Sequence, residues 1–221
     1  MNEETLQEFF DAIKADDVFL LTDMLNKHPE LLNAKAPNGL PAVMTAVYQQ
    51  RPDVVNLLAR SGARIDTGTA AAMGDVKRLQ AALDADPSSL TGTSADGWTP
   101  LHLACFFSKK ATVGLLLQAG APVMARSANA LNNHPLHAAA AGRSRDAVAL
   151  LLAAGADVNA TQAGGWTALH AAAQNGDVEM AKILLANGAN ADVRADNGQS
   201  PLDLAMGTGS QEVVDLLTNA A

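Results

Sequence analysis

The 221-residue chain has a single cysteine, Cys105, which leaves it without an internal disulfide and without a thiolate cage for a metal. Such a chain suits a reducing compartment, and a cytoplasmic location is expected. Aromatic residues are nearly as scarce: two Trp, one Tyr and five Phe make up 4% of the sequence, and charged residues only 17%. Against 48% hydrophobic residues, rich in Ala and Leu, this excludes a disordered tail and indicates thin, repetitive packing of small side chains. Positive charge is in deficit. The formal net charge of -8 argues against a nucleic-acid binder, which needs a basic stripe to displace counterions from phosphates. Long apolar runs are missing too. The uncharged stretch Ala111 to Ala125 contains Gln118, Gly120 and Pro122 and falls short of the ~18 residues of a membrane span. The start, Met1-Asn2-Glu3-Glu4-Thr5, is acidic where a signal peptide is basic. Neither nucleic acid nor a membrane is therefore expected as a partner.

The charge is unevenly spread. Residues 1–30 carry eight acids against two bases, residues 177–221 seven against two, and the middle eight against eleven. An anionic partner would meet the middle of the chain.

Internal repetition is what the sequence has in abundance. Gly155-Ala156-Asp157-Val158-Asn159 recurs 33 residues on as Gly188-Ala189-Asn190-Ala191-Asp192, and Thr167-Ala168-Leu169-His170 recurs at the same distance as Ser200-Pro201-Leu202-Asp203. Thr99-Pro100-Leu101-His102 precedes His134-Pro135-Leu136-His137 by 35 residues, so two residues are inserted near Ser127-Ala128. The first half keeps another rhythm: Asp17-Val18, Leu25, Pro29, Gly39 and Gly62-Ala63 return 58 residues later as Asp75-Val76, Leu83, Pro87, Gly97 and Gly120-Ala121. Two full 33-residue units would span 66 residues, so a segment has been lost. It is placed between Ile65 and Thr69, where other units carry a polar, Gly-containing turn.

Within one unit, Thr99 is a good N-cap and Pro100 suits the first helical position, where a missing N–H costs nothing. Leu101, Ala104 and Cys105 share one face of a first helix, and Val113, Leu116 and Leu117 form the apolar face of a second. Gly120 ends it in the left-handed conformation. One such pair cannot bury its apolar side alone, so neighbours must stack. Asp96-Gly97-Trp98-Thr99-Pro100-Leu101-His102-Leu103-Ala104 and Leu151-Leu152-Ala153-Ala154-Gly155-Ala156-Asp157-Val158-Asn159-Ala160 resemble the ankyrin repeat. Gly74-Asp75-Val76 leading to Leu83-Asp84-Ala85-Asp86-Pro87 is similar to units of stand-alone bacterial ankyrin proteins. The resemblance implies one all-α solenoid domain with hairpin-like connectors, in units 1–35, 36–65, 66–93, 94–126, 127–161, 162–194 and 195–221. The third unit lacks its hairpin, so a gap is expected in the row of hairpins, and the amides around 64–73 are expected to exchange faster than those of 166–186. The end units act as caps, with Glu3, Glu4, Glu8, Asp11, Glu212 and Asp215 on their outer faces and Phe9, Phe10 and Phe19 filling the first.

The chemistry-bearing residues give weak leads. His102, His137 and His170 occupy the same place in three units; the resemblance implies that they hold neighbouring units together by hydrogen bonds. Stacked helices also set them about 10 Å apart, too far to share a metal. His134 and His137 stand one turn apart, as zinc ligands can, but no Cys or carboxylate is spaced to complete a site. Cys105 follows His102 by three, yet its counterparts are Ala140 and Ala173, which makes it a small buried hydrophobe. No phosphate loop or nucleophile elbow is present. No catalytic residue, metal or cofactor is expected.

The remaining aromatics, Tyr48, Trp98, Phe106, Phe107 and Trp166, fall at hairpin tips or late in first helices. In proteins of this resemblance those positions face the concave groove. Trp98, Phe106 and Phe107, beside Lys109 and Lys110, read as an exposed patch and a binding hot spot; the competing reading is that Phe106 or Phe107 folds into the gap at the third unit. Asn132, Asn133, Gln174, Asn175, Gly207 and Thr208 would continue the surface in polar form. The expected function is a non-enzymatic module that presents a rigid concave surface to another protein. The rival readings are a self-associating scaffold in place of a monomer, and a metal or catalytic site at His134 and His137.

Overall fold

The computed structural model describes residues 3–220; Met1, Asn2 and Ala221, the outermost residues of the expected end units, lie outside them. Among the described residues, fourteen α-helices follow one another in seven pairs. They are α1 (Glu3–Ala15) with α2 (Val18–Lys27), α3 (Ala42–Tyr48) with α4 (Pro52–Arg60), and α5 (Thr67–Met73) with α6 (Val76–Ala85). Then come α7 (Pro100–Phe106) with α8 (Lys110–Gln118), α9 (Pro135–Ala141) with α10 (Arg145–Ala153), α11 (Ala168–Gln174) with α12 (Val178–Ala186), and α13 (Pro201–Thr208) with α14 (Gln211–Thr218). Odd-numbered helices stack on odd, and even on even save between α4 and α6, giving two layers. None is long and apolar enough to cross a membrane.

Small side chains make the tight inner layer possible. Ala70, Ala71 and Ala72 of α5, Ala138 and Ala139 of α9, and Ala172 and Ala173 of α11 are all fully buried where helices meet. Leucines supply the volume between the layers, with Leu79, Leu116, Leu151 and Leu184 at 0% exposure. The apolar core divides at α3: Ala42, Val43 and Ala46 pack toward the first unit, whereas Leu40, Met44 and Val47 join the cluster that runs to α14. Phe9 and Phe10 fill the first cap as expected, but Phe19 does not; it is 91% exposed on the outer helix α2.

The connectors that project from the inner helices, here called fingers, are one turn repeated. Ala36, Ser94, Gln162 and Ala195 each donate N–H to the carbonyl four residues on, at 2.9 Å. Each loop carries glycine at its third following position, Gly39, Gly97, Gly165 and Gly198, all with φ between 71° and 83°, a region that side chains rarely enter. The finger of the fifth pair has two extra residues and no such glycine; Asn132 takes the left-handed position at φ 46°. Among the described residues the only β-pairing is a single antiparallel bridge, Lys35 to Pro41.

Neighbouring fingers are laced by backbone hydrogen bonds: Ala128 N–H to Gly97 O at 2.7 Å, Ala163 to Leu131 at 2.9 Å and Asp196 to Gly164 at 2.9 Å. The third pair has no finger, and α4 passes to α5 through residues 61–66 alone. The expected gap, however, is closed. Gly39 of the second finger meets the fourth, where a Cβ at Gly39 would sit 3.2 Å from that of Ala95. Nor is α5 loosely held, because Thr112 Oγ1 donates to Ala71 O at 3.0 Å and Gly68 admits Leu103 against it.

Candidate functional site

The three equivalent histidines share one geometry. His102 Nε2–H donates to Asn133 O at 3.0 Å, His137 to Trp166 O at 3.1 Å and His170 to Gln199 O at 3.2 Å. Each acceptor is the residue just before the next unit's inner helix begins its cap. Since a carbonyl only accepts, the proton sits on Nε2 and Nδ1 is left as an acceptor. Nδ1 of His102 takes the Thr99 hydroxyl at 2.8 Å, that of His137 the His134 N–H at 3.2 Å, and that of His170 the Thr167 N–H at 3.1 Å. Both ring nitrogens are occupied in every case.

Burial pushes His102 and His137 down to about 4, against the pull of the carbonyls they bond and with the neighbouring His134 pushing the same way as burial. His170 is lowered for the same first reason. Burial alone drives the Cys105 thiol upward, so it stays protonated and offers no nucleophile. The ring of His134 stacks on that of His137 at 5.8 Å and turns its Nδ1–H to the carbonyls of Met124 and Ala125 at 3.0 and 3.2 Å. No group of three or more His, Cys, Asp or Glu among the described residues is placed to hold a metal ion.

The aromatic residues are brought together, but not as an exposed patch. Trp98 is only 9% exposed and belongs to the core, edge-on to Phe106 at 5.1 Å. Phe106 meets Phe107 at 5.1 Å, and Phe107 meets Tyr48 of the second pair at 5.0 Å; these three are half-buried. The Tyr48 hydroxyl donates to Asp96 of the fourth finger, while Ser94 donates to the other carboxylate oxygen. Burial first, then that hydrogen bond and the Asp96 charge, raise the tyrosine out of the ordinary range. The physical reason is the closed gap: with no third finger, the second and fourth pairs meet and their large side chains cover the seam. Asp96 is the member that sequence reading passed over; its place in the Gly97 turn was visible, its partner 48 residues away was not.

Asn133 is likewise buried, at 3% exposure, because its carbonyl is needed by His102. Its Oδ1 has no hydrogen-bond partner. Asn132, Gln174, Gly207 and Thr208 are exposed and Asn175 is half-buried, donating to Ala140 O at 3.4 Å. Trp166, half-buried, covers His170 at 5.4 Å. Between the sixth finger and the inner helices α9 and α11 lies a cleft of about 520 Å³, lined by Gln162, Trp166, Ala171, Gln174 and Asn175.

Two family models match the chain. One, described as ankyrin repeat, matches residues 96–128; the other, described as ankyrin repeats (many copies), matches residues 136–185. No curated protein matches.

Proposed function

Because the chain is an ankyrin-repeat protein, we propose that it is a non-enzymatic module that holds a partner protein against the face made by its fingers and inner helices. Ankyrin repeats generally mediate binding to other proteins. The observation that carries the reading for this chain is the cleft beside Trp166, where a flat aromatic ring, Gln174 and Asn175 converge on one concave space. Phe106 and Phe107, half-exposed, line a neighbouring cavity that shares Ala141 with the cleft and continue the surface there, and Asn132, Gly207 and Thr208 form its polar margin. Trp98 and Asn133, being buried, and His102, His137 and His170, being bonded between units, serve the scaffold. Tyr48 braces it through Asp96. A preformed surface of this kind loses little ordering entropy on binding, and a specific partner would bury about 800 Å² of it. The protein works as a monomer in the cytoplasm, where its one buried thiol stays reduced.

The test is affinity capture from the native host with the wild type and with a Trp166→Ala, Gln174→Ala variant, alongside light scattering and melting curves. Loss of a hot-spot aromatic costs about 2 kcal/mol, roughly a thirty-fold weaker complex. The captured protein should disappear with the variant, which should still fold. Retention of the same partner sinks this choice of face, and a dimer in scattering favours the self-associating scaffold.

A further inference from the structure

A larger cavity adjoins the Trp166 cleft at Ala141, at the C-terminal ends of the inner helices, where the turns into α4, α6, α8 and α10 line up. It holds about 1160 Å³. We propose that this basin docks an acidic peptide segment of a partner protein, one that sets carboxylates around a bulky apolar side chain. The proposal rests on the chain being a protein-binding module and gives it a second contact that adjoins the Trp166 cleft but does not use Trp166.

Charge is the first argument. Arg51, Arg60, Arg78, Lys109 and Arg143 line the basin, and Asp75 is the only carboxylate among its lining residues. That acid is taken by Arg78 at 2.5 Å. The Arg51 Nε–H donates to the Lys14 carbonyl at 3.1 Å, which neutralises nothing. Among the described residues no carboxylate forms an ion pair with Arg51, Arg60, Lys109 or Arg143. A chain of net charge -8 thus gathers an unpaired positive field in one cavity. Asp16, Asp17 and Asp53 line an adjoining cavity that shares Asn56 and Arg60 with the basin, so the field is least offset on the Lys109 and Arg143 side.

Helix capping supplies the second argument. Asp17, Asp75 and Asp177 stand at the N-caps of α2, α6 and α12 and accept the N–H of Leu20, Arg78 and Met180 at 2.9, 3.0 and 3.0 Å. At α4 and α8 the same position holds Arg51 and Lys109, which have no acceptor to offer. A cation there also faces the positive end of the helix dipole. Ser144 and Ser210 stand there at α10 and α14 without a side-chain cap bond, so a cation in this position is confined to the two units that flank the fingerless third, and both cations open on the basin. Lys109 is drawn across it, with its chain so close to Gly74 that a Cβ there would lie 3.0 Å from Cδ.

The floor decides the occupant. Val55, Met73, Tyr48 and Phe107 give the basin an apolar, partly aromatic base, which suits an inserted side chain and not a row of phosphates. A long polyanion would run from the basin onto the acidic ends of the chain; a short acidic segment would not.

The experiment is selection of a random-peptide display library on the purified full chain, with binding of the recovered peptides measured by fluorescence anisotropy. Recovered sequences should be enriched in Asp and Glu around Phe, Leu or Trp. Their affinity should fall with added salt and by about tenfold or more in Lys109→Glu, Arg143→Glu, and should not change in Trp166→Ala. The melting temperature of the charge-reversed protein should hold or rise, since Lys109→Glu puts an acid at a helix N-terminus. Neutral or basic peptides, or acidic ones indifferent to the charge reversal, would overturn the proposal. Peptides lost only with Trp166→Ala would overturn it while upholding the concave cleft, and recovery of none would overturn both. Tighter binding of a single-stranded oligonucleotide or anionic vesicles at Lys109 and Arg143 also counts against it.

Discussion

Mild acid should loosen this protein through two imidazoles that have no room for a second proton. His102 is fully buried and His137 nearly so. Protonating His137 would set its Nδ1–H against the His134 N–H that it now accepts, a donor facing a donor. In the unfolded chain both titrate near the ordinary 6.5; in the folded chain both are held at about 4. Between those values the unfolded state binds more protons, so stability is complete above about 6.5 and is lost progressively as the pH falls toward 4. At about 1.36 kcal/mol per pH unit the difference is worth about 3 kcal/mol for each ring, a large share of the ~5–15 kcal/mol that holds an ordinary domain together. Urea denaturation across this window should show stability falling at up to about 2.7 kcal/mol per pH unit from these two rings, with His170 steepening the fall. His102→Gln keeps a donor for the Asn133 carbonyl but cannot titrate, so its slope should be shallower by up to about 1.4 kcal/mol per pH unit. A wild type whose stability is flat through the window, or a His102→Gln slope equal to that of the wild type, would refute the reasoning.

Two further outcomes follow from packing. Trp98→Ala should lower stability by about 3–5 kcal/mol, in the class of Leu116→Ala at about 2–5 kcal/mol, because both side chains are core; thermal denaturation distinguishes this from the less than about 0.5 kcal/mol of an exposed position. Gly142→Ala should cost about 3 kcal/mol or force the turn apart, since the added Cβ would stand 2.0 Å from the Phe106 carbonyl oxygen, and a melting curve beside that of Gly114→Ala, where the space is open, reads it directly.

What could be read along the chain was whatever lies within one unit or repeats at a fixed interval. The Thr99-Pro100 start, the apolar face of α8 and the missing segment after Ile65 are local or periodic, and the structure has them. Trp98 misled because its burial is decided by the second pair, through Gly39 and Tyr48, and no spacing within the fourth unit encodes that approach. Asn133 misled because its side chain was weighed, whereas the role belongs to its carbonyl. Its register mates Trp166 and Gln199 hold the same place before a cap, so that pattern was available. Of the cations of the basin, Arg51, Lys109 and Arg143 come from the turns into α4, α8 and α10 and are separated by tens of residues, while Arg60 and Arg78 lie in α4 and α6; only the basic excess of the middle segment hinted at them.

A row of identical units is usually modular, in that members can be added or removed and the rest will not notice, because each touches only its neighbours. The closure of the second finger on the fourth ends that freedom here. The thin third unit acts as a spacer of set thickness, and the meeting of Gly39 with Ala95 and of Tyr48 with Asp96 is correct only for that thickness. A unit of ordinary design spliced in at this point would thrust the two fingers apart, and deleting the thin one would drive them into each other. The array can be lengthened or trimmed toward its far end, but from the second pair to the fourth it has to be inherited whole.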